Sequence, residues 1–263
     1  MILEAKNITK EYKVRGRKEP FVALNNVSFS LGEGEVLGIV GESGSGKTTL
    51  SEIAGGLRKP TRGSVLFQGK DISEMKKDEW REYRKSVQFI FQSPKESMNP
   101  YYTIRSILSE PLTINFPSMS KSEKEDRIKD MLVRVGMDPE TTLSFRPSHF
   151  SGGQMQRIAI ARALLLEPKV IVCDECTSAL DVSLEAQIIN LLSSLKKETG
   201  VSMVFISHDI QTVRYISDDI IVMNGGKIVE QGEAKQVFQN PQDPYTKMLL
   251  GAAPSLLHPK LGE

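Results

Sequence analysis

The chain has 263 residues, enough for one large domain or two small ones with a proper core, so disulfide or metal staples are not required. Its 34 Lys and Arg against 33 Asp and Glu leave a formal charge of +1, and 39% hydrophobic with 25% charged residues excludes both a nucleic-acid coat and a disordered chain. Two cysteines, no apolar run near about 18 residues and an N-terminus without a signal-peptide core point to a reducing, cytoplasmic setting and no membrane span.

Along the chain, short β-branched runs alternate with longer helical patterns, the texture of an α/β fold. Val36 to Val40 reads as a short buried strand. It is followed by Gly41-Glu42-Ser43-Gly44-Ser45-Gly46-Lys47-Thr48, which matches G-x-x-x-x-G-K-[ST], with Thr49 continuing a helix that opens at Lys47. The glycines let the backbone curl so that amides point inward, and the helix start adds the positive end of its dipole. Lys47 can then reach the β- and γ-phosphates of a nucleotide, and the Thr48 hydroxyl can ligate Mg²⁺.

From Gln92 to Phe150 the texture changes to proline-rich and polar, with helical spacing of Ile128, Met131, Leu132 and Val135, which predicts a mainly helical insertion. Lys169 to Asp174 and Ser202 to Ser207 are again short buried strands, and between them Leu184, Ile188, Leu191, Leu192 and Leu195 keep helical spacing. Such a unit calls for parallel strands and a right-handed crossover. Gly41, Asp174 and Ser207 then lie on one sheet edge, where open parallel sheets bind ligands. The run Val170 to Glu175 ends in two carboxylates, a costly arrangement unless they meet a cation or solvent in a cleft. Asp174 would hold hydrated Mg²⁺, and Glu175 would orient or deprotonate the water attacking the γ-phosphate. Beyond Gly232 the composition predicts a tail packed on the core, with Leu256 to Glu263 fraying.

Cys173 and Cys176 form a C-x-x-C. A thioredoxin-like pair opens a helix after its strand, whereas Cys173 falls inside an apolar strand. A zinc site would need two more ligands, and His149, His208 and His258 show no paired ligand spacing.

The discriminating stretch is Phe150-Ser151-Gly152-Gly153-Gln154, followed by Met155-Gln156-Arg157 and an alanine-rich helical pattern. It resembles the signature motif of ATP-binding cassette (ABC) ATPases. The other elements of that family stand in order: Tyr12, the phosphate loop, Gln92, the signature, Asp174-Glu175, Ser178-Ala179-Leu180-Asp181, and His208 after Phe205-Ile206-Ser207. The resemblance implies an α/β fold with a P-loop NTPase (RecA-like) core, an inserted mainly helical signature subdomain and a small antiparallel β part at the N-terminal side. It also implies one ATPase domain over 1–263, with 1–92 and 157–232 as nucleotide core, 93–156 as helical subdomain and 233–263 as tail.

The roles it implies are specific. Tyr12 stacks on adenine, residues 41–49 bind the nucleotide, Gln92 senses Mg²⁺ and the attacking water, and His208 contacts the γ-phosphate. Lys47, Gln92, Glu175 and His208 form the catalytic set, and Thr48, Gln92 and Asp174 surround Mg²⁺. Asp181 corresponds to an inter-subunit loop residue. Ser151, Gly152, Gly153 and Gln154 offer donors at a helix start to the γ-phosphate of a second, head-to-tail cassette.

Within the insertion, Gln92-Ser93-Pro94-Lys95-Glu96-Ser97-Met98-Asn99-Pro100 and Glu110-Pro111-Leu112 resemble the oligopeptide/dipeptide/nickel importer subfamily. Asn240 to Leu250, ending near Ala253-Pro254, resembles that subfamily's P-Y-T-x-x-L-L segment. Met98 and Phe150 stand where leucine is usual, and Cys176 where proline is usual. The short tail after Pro254 leans slightly towards nickel or metal-chelate members. Membership implies ATP and Mg²⁺ as cofactors, and a second ATPase subunit, identical or paralogous. It also implies two integral-membrane permease chains, indirect service to an extracytoplasmic substrate-binding protein, a seat on the cytoplasmic membrane face, and no nucleic-acid partner.

Overall fold

The computed structural model describes residues 1–16 and 19–252. In chain order, β1 (Leu3–Tyr12), β2 (Phe21–Leu31) and β3 (Val36–Val40) precede α1 (Lys47–Ala54), β4 (Arg62–Phe67), β5 (Lys70–Asp71), α2 (Lys77–Ser86) and β6 (Val87–Ile90). Four helices follow, α3 (Ile104–Asn115), α4 (Lys121–Arg134), α5 (Pro139–Thr142) and α6 (Gly152–Leu164). The chain then returns through β7 (Val170–Asp174), α7 (Val182–Thr199), β8 (Ser202–Ile206), α8 (Ile210–Ile216), β9 (Asp219–Asn224) and β10 (Lys227–Glu233) to α9 (Ala234–Gln239) and α10 (Pro244–Ala252).

Two sheets result. The N-terminal one is antiparallel at each pairing, in order β2-β1-β4-β5. The other runs β10-β9-β3-β8-β7-β6, parallel from β9 to β6 and closed at one edge by the antiparallel β9–β10 hairpin. Strands β3, β7 and β8 are buried along their whole length, because both faces of this sheet are covered. Alternation divides them: Val36, Ile171, Cys173, Met203 and Phe205 join the cluster shared with the helices α3 to α8, whereas Leu37, Ile39, Val172 and Val204 join the cluster under the antiparallel sheet, α1 and α2.

The predicted strands appear with one residue trimmed from two of them. Lys169 and Ser207 each keep a flanking bond, Lys169 N–H to Ser86 O at 2.8 Å and Ser207 N–H to Ile39 O at 3.4 Å. Gly41, Asp174 and Ser207 therefore follow parallel strands out of the same edge. Polar caps set the helix starts: Ser120 with Glu123 closes a capping box on α4, and Ser151 with Gln154 does so on α6. Gly200, at φ 69°, ends α7 in the left-handed conformation.

The helical insertion does not have a core of its own: Ile104, Leu108, Ile128, Leu132 and Ile158 are continuous with the main apolar cluster. The tail packs as expected, with Val237 buried and Phe238, Leu249 and Leu250 against the same cluster. Ala253-Pro254, His258 and the Leu256 to Glu263 segment lie outside the described residues. Among the described residues no helix is long and apolar enough to cross a membrane.

Candidate functional site

The loop after β3 is built by backbone crowding. Gly41 has φ 152° and Gly46 φ 104°, and a Cβ on Gly41 would lie 2.2 Å from the Met223 carbonyl oxygen, on Gly46 2.7 Å from that of Ala23. No other residue fits at Gly41 without moving the β9 backbone, or at Gly46 without moving that of β2. Lys47, at the first turn of α1, is 4% exposed, and its ammonium donates to the Gly41 and Glu42 carbonyls at 2.7 and 2.9 Å. Burial lowers its pKa, opposed by the negative charges of Glu175 and Asp174. A lysine buried beside a glycine-rich loop with two carboxylates nearby is a charge arrangement made to receive an anion.

The acidic end of β7 faces that helix. The Thr48 hydroxyl lies 3.5 Å from Asp174 Oδ1, and Ser51 Oγ donates to Asp174 Oδ2 at 3.1 Å. Ser51 was not a sequence candidate, although it is one turn beyond Thr48 and so shares its helix face. Burial raises the Asp174 pKa, as do the charges of Glu175 and Glu52, while the hydroxyls of Ser51 and Thr48 pull it down. The fold therefore binds the Asp174 proton more tightly than the unfolded chain does. Its ionisation costs stability at neutral pH, and that cost vanishes as pH falls through the folded pKa. Asp174→Asn is accordingly expected to raise the Tm of the nucleotide-free chain by about a few degrees, read by thermal denaturation at pH 7; a lower Tm would contradict this electrostatic account. The hard oxygens of Thr48 and Asp174 fit Mg²⁺, which takes one or two protein groups and completes its shell with phosphate and water.

Glu175 sits at φ 47°, an αL backbone that costs a non-glycine residue about 1–3 kcal/mol. Both sides of the kink are tied down: the Glu175 N–H donates to Ile206 O at 3.0 Å, and its carbonyl accepts from Ser178 N–H at 3.1 Å and Ser178 Oγ at 2.9 Å. The side chain is half-buried, and its charge acts on Lys47 and Asp174. His208 follows β8 on the same edge and is exposed, not in the core. Gln92 is exposed too, just past β6, whose Ile90 pairs with Cys173. Tyr12, at the end of β1, carries Lys10 and Arg58 over its ring at 5.4 and 5.5 Å from the centroid.

The signature residues open α6. Ser151 is exposed and spends its hydrogen bonds within the capping box, N–H to Gln154 Oε1 at 3.0 Å and Oγ accepting Gln154 N–H at 3.3 Å. Gly153 is buried against Leu184, which a Cβ would approach to 3.2 Å, so the starts of α6 and α7 lie side by side. Asp181 caps α7 by accepting Leu184 N–H at 3.0 Å, and the neighbouring Val182 is 83% exposed. Arg162, near the other end of α6, donates to Ser97 O at 3.2 Å and pairs with Glu110 at 3.4 Å. It thus ties the helix to the segment following Gln92. Cys173 and Cys176 are free thiols, both buried in the main cluster, and the neighbouring Cys176 thiol, then burial and the Asp174 carboxylate, push the Cys173 thiol pKa up.

Residues 24–178 match the family model described as ABC transporter, and residues 229–262 match that of the oligopeptide/dipeptide transporter C-terminal region. The chain is 46% identical over 261 residues to the oligopeptide transport ATP-binding protein OppF of Salmonella typhimurium, covering 97% of this chain and 78% of that protein. It is 44% identical over 262 residues to the di/tripeptide transport ATP-binding protein DppF of Pseudomonas aeruginosa, covering 98% and 80%. Among solved structures, the dimeric post-hydrolysis state of the ATP-binding cassette MJ0796 bound to ADP and Pi superposes with a TM-score of 0.79 at 34% identity, over 88% of this chain and 98% of that one.

Proposed function

The chain belongs to the ATP-binding cassette transporter family, and from that membership we propose that it is the ATP-hydrolysing subunit of an importer of short peptides, acting on separate permease chains at the cytoplasmic face of a membrane. The observation that carries the chemistry is the convergence of Lys47, Thr48, Asp174 and Glu175 at one sheet edge. The names of the relatives and the match of the C-terminal region favour peptides over nickel or metal chelates.

In this reading the amides of residues 41–49 and the Lys47 ammonium bind the phosphates, and Tyr12 stacks on adenine. Thr48, Asp174 and Gln92 would hold Mg²⁺, which when bound offsets charge on the transferring phosphoryl group. Glu175 orients and deprotonates the attacking water, and His208 donates to the γ-phosphate.

Ser151 to Gln154 supply a γ-phosphate site to a second cassette, in a head-to-tail sandwich. The exposed capping box of α6 and the exposed neighbouring start of α7 are suited to this, and the solved structures of the related cassette MJ0796 are dimeric. Taking such a pair from 1:99 to 99:1 closed requires roughly 5.5 kcal/mol, about half from each of two sandwiched nucleotides.

The permease side is supported by a cleft of about 470 Å³ between core and insertion, lined by Leu57, Phe89, Phe91 and Arg162 among others, with Tyr101 78% and Tyr102 50% exposed nearby in sequence. Exposed aromatics beside a cleft between core and insertion suit a docking surface.

Ser151→Arg separates the roles of the two cassettes. It should leave MgATP binding to the chain's own phosphate loop at wild-type affinity and abolish phosphate release; turnover at the wild-type rate would remove the role in trans.

A further inference from the structure

A chain of contacts runs from β10 to the phosphate loop. Glu230 on β10 accepts the N–H groups of Gln242 at 2.7 Å and Asp243 at 3.0 Å, and Asp243 Oδ1 accepts the Tyr245 N–H at 2.8 Å. Set by this turn, α10 lays Tyr245, Leu249 and Leu250 on the main apolar cluster. The Tyr245 hydroxyl then accepts the Glu42 N–H at 3.0 Å, across 203 residues of sequence. Further round the loop, the β9–β10 hairpin donates its Gly226 N–H to the Ser45 carbonyl at 3.0 Å. Both grips on the loop come from the part of the chain beyond β8.

We propose that Tyr245 is a positioning residue for the phosphate loop: its hydroxyl fixes the peptide at which β3 turns into the loop, and so ties the seating of α10 to nucleotide affinity. This rests on the reading of residues 41–49 as the nucleotide site. A glycine-rich loop loses conformational freedom when it settles around phosphate, and an anchor at its entry removes part of that loss beforehand. The coupling is reciprocal. Whatever loosens α10 weakens nucleotide binding, and bound nucleotide in turn holds α10 more firmly.

The test compares the full chain with Tyr245→Phe, which removes only the hydroxyl, and Leu249→Ala, which loosens α10 while keeping it. MgADP affinity is read by fluorescent-nucleotide titration, stability by Tm, and the Glu42 and α10 amides by hydrogen exchange. Tyr245→Phe should raise the MgADP Kd about two- to fivefold, speed exchange at Glu42, and weaken the protection that MgADP confers on α10, all at a Tm close to wild type. Wild-type affinity in Tyr245→Phe, with Lys47→Ala still impaired, overturns the inference and leaves the nucleotide site standing. So does a loss that merely follows Tm equally in Tyr245→Phe and Leu249→Ala. Failure of the wild-type chain to bind MgADP overturns the nucleotide site and this inference with it.

Discussion

Glu175→Gln is expected to bind MgATP with near wild-type affinity and to release phosphate about 100-fold more slowly or worse. The substitution keeps the size and hydrogen-bonding reach of the side chain but removes the proposed base. The backbone of the site is kept, because the αL kink is held by Ile206 on one side and Ser178 on the other, while the charge that Glu175 exerts on Lys47 and Asp174 is lost. The loss should therefore fall on kcat and spare the dissociation constant, a split read by single-turnover phosphate release beside equilibrium binding. Turnover at the wild-type rate would move the base elsewhere, and the exposed His208 would be the next group to test.

Lys47→Ala should act on the other parameter. Its ammonium caps two loop carbonyls at 2.7 and 2.9 Å in a 4% exposed position. Burying that charge is worthwhile only beside negative partners. With alanine the loop loses the charge that meets the phosphates, and the Gly41 and Glu42 carbonyls lose their donor. A charge-assisted hydrogen bond is worth about 1.5–3 kcal/mol, so nucleotide affinity should fall about 10- to 100-fold, measured by titration with MgADP to keep hydrolysis out of the reading. Unchanged affinity would contradict the assignment of the loop.

What the sequence revealed and what it hid follow from how local each feature is. The phosphate loop and the Asp174-Glu175 pair lie in unbroken stretches whose strand-to-loop setting is fixed by neighbouring residues, and the parallel pairing of β7 with β8 follows from one strand-helix-strand unit, whereas the place of β3 beside β8 does not. The signature stretch lies likewise in one run, Phe150 to Gln154, although the capping box that Ser151 and Gln154 form is a finding of the structure. Ser51 escaped notice because its contact with Asp174 spans 123 residues and a serine inside a helix carries no motif. Tyr245 belonged to a recognised segment, yet nothing in that segment says which loop its hydroxyl meets. Glu185, which accepts from Thr177 at 2.8 Å and Thr212 at 3.2 Å, was hidden for the same reason. The αL backbone at Glu175 could not be read at all, since glutamate gives no sign of a positive φ. It is imposed by the turn that Ser178 closes.

In the proposed head-to-tail pair, half of each γ-phosphate site lies on another cassette: the phosphate loop would bind the nucleotide, and the signature start of α6 would serve the partner's site. The measurement that tests this most directly is the solution mass of Glu175→Gln by light scattering, without nucleotide, with MgADP and with MgATP. The account predicts one chain of 29.3 kDa in the first two conditions and a mass approaching two chains with MgATP, lost again when Ser151→Arg is added. A mass that stays at one chain while MgATP is bound would contradict the self-paired sandwich.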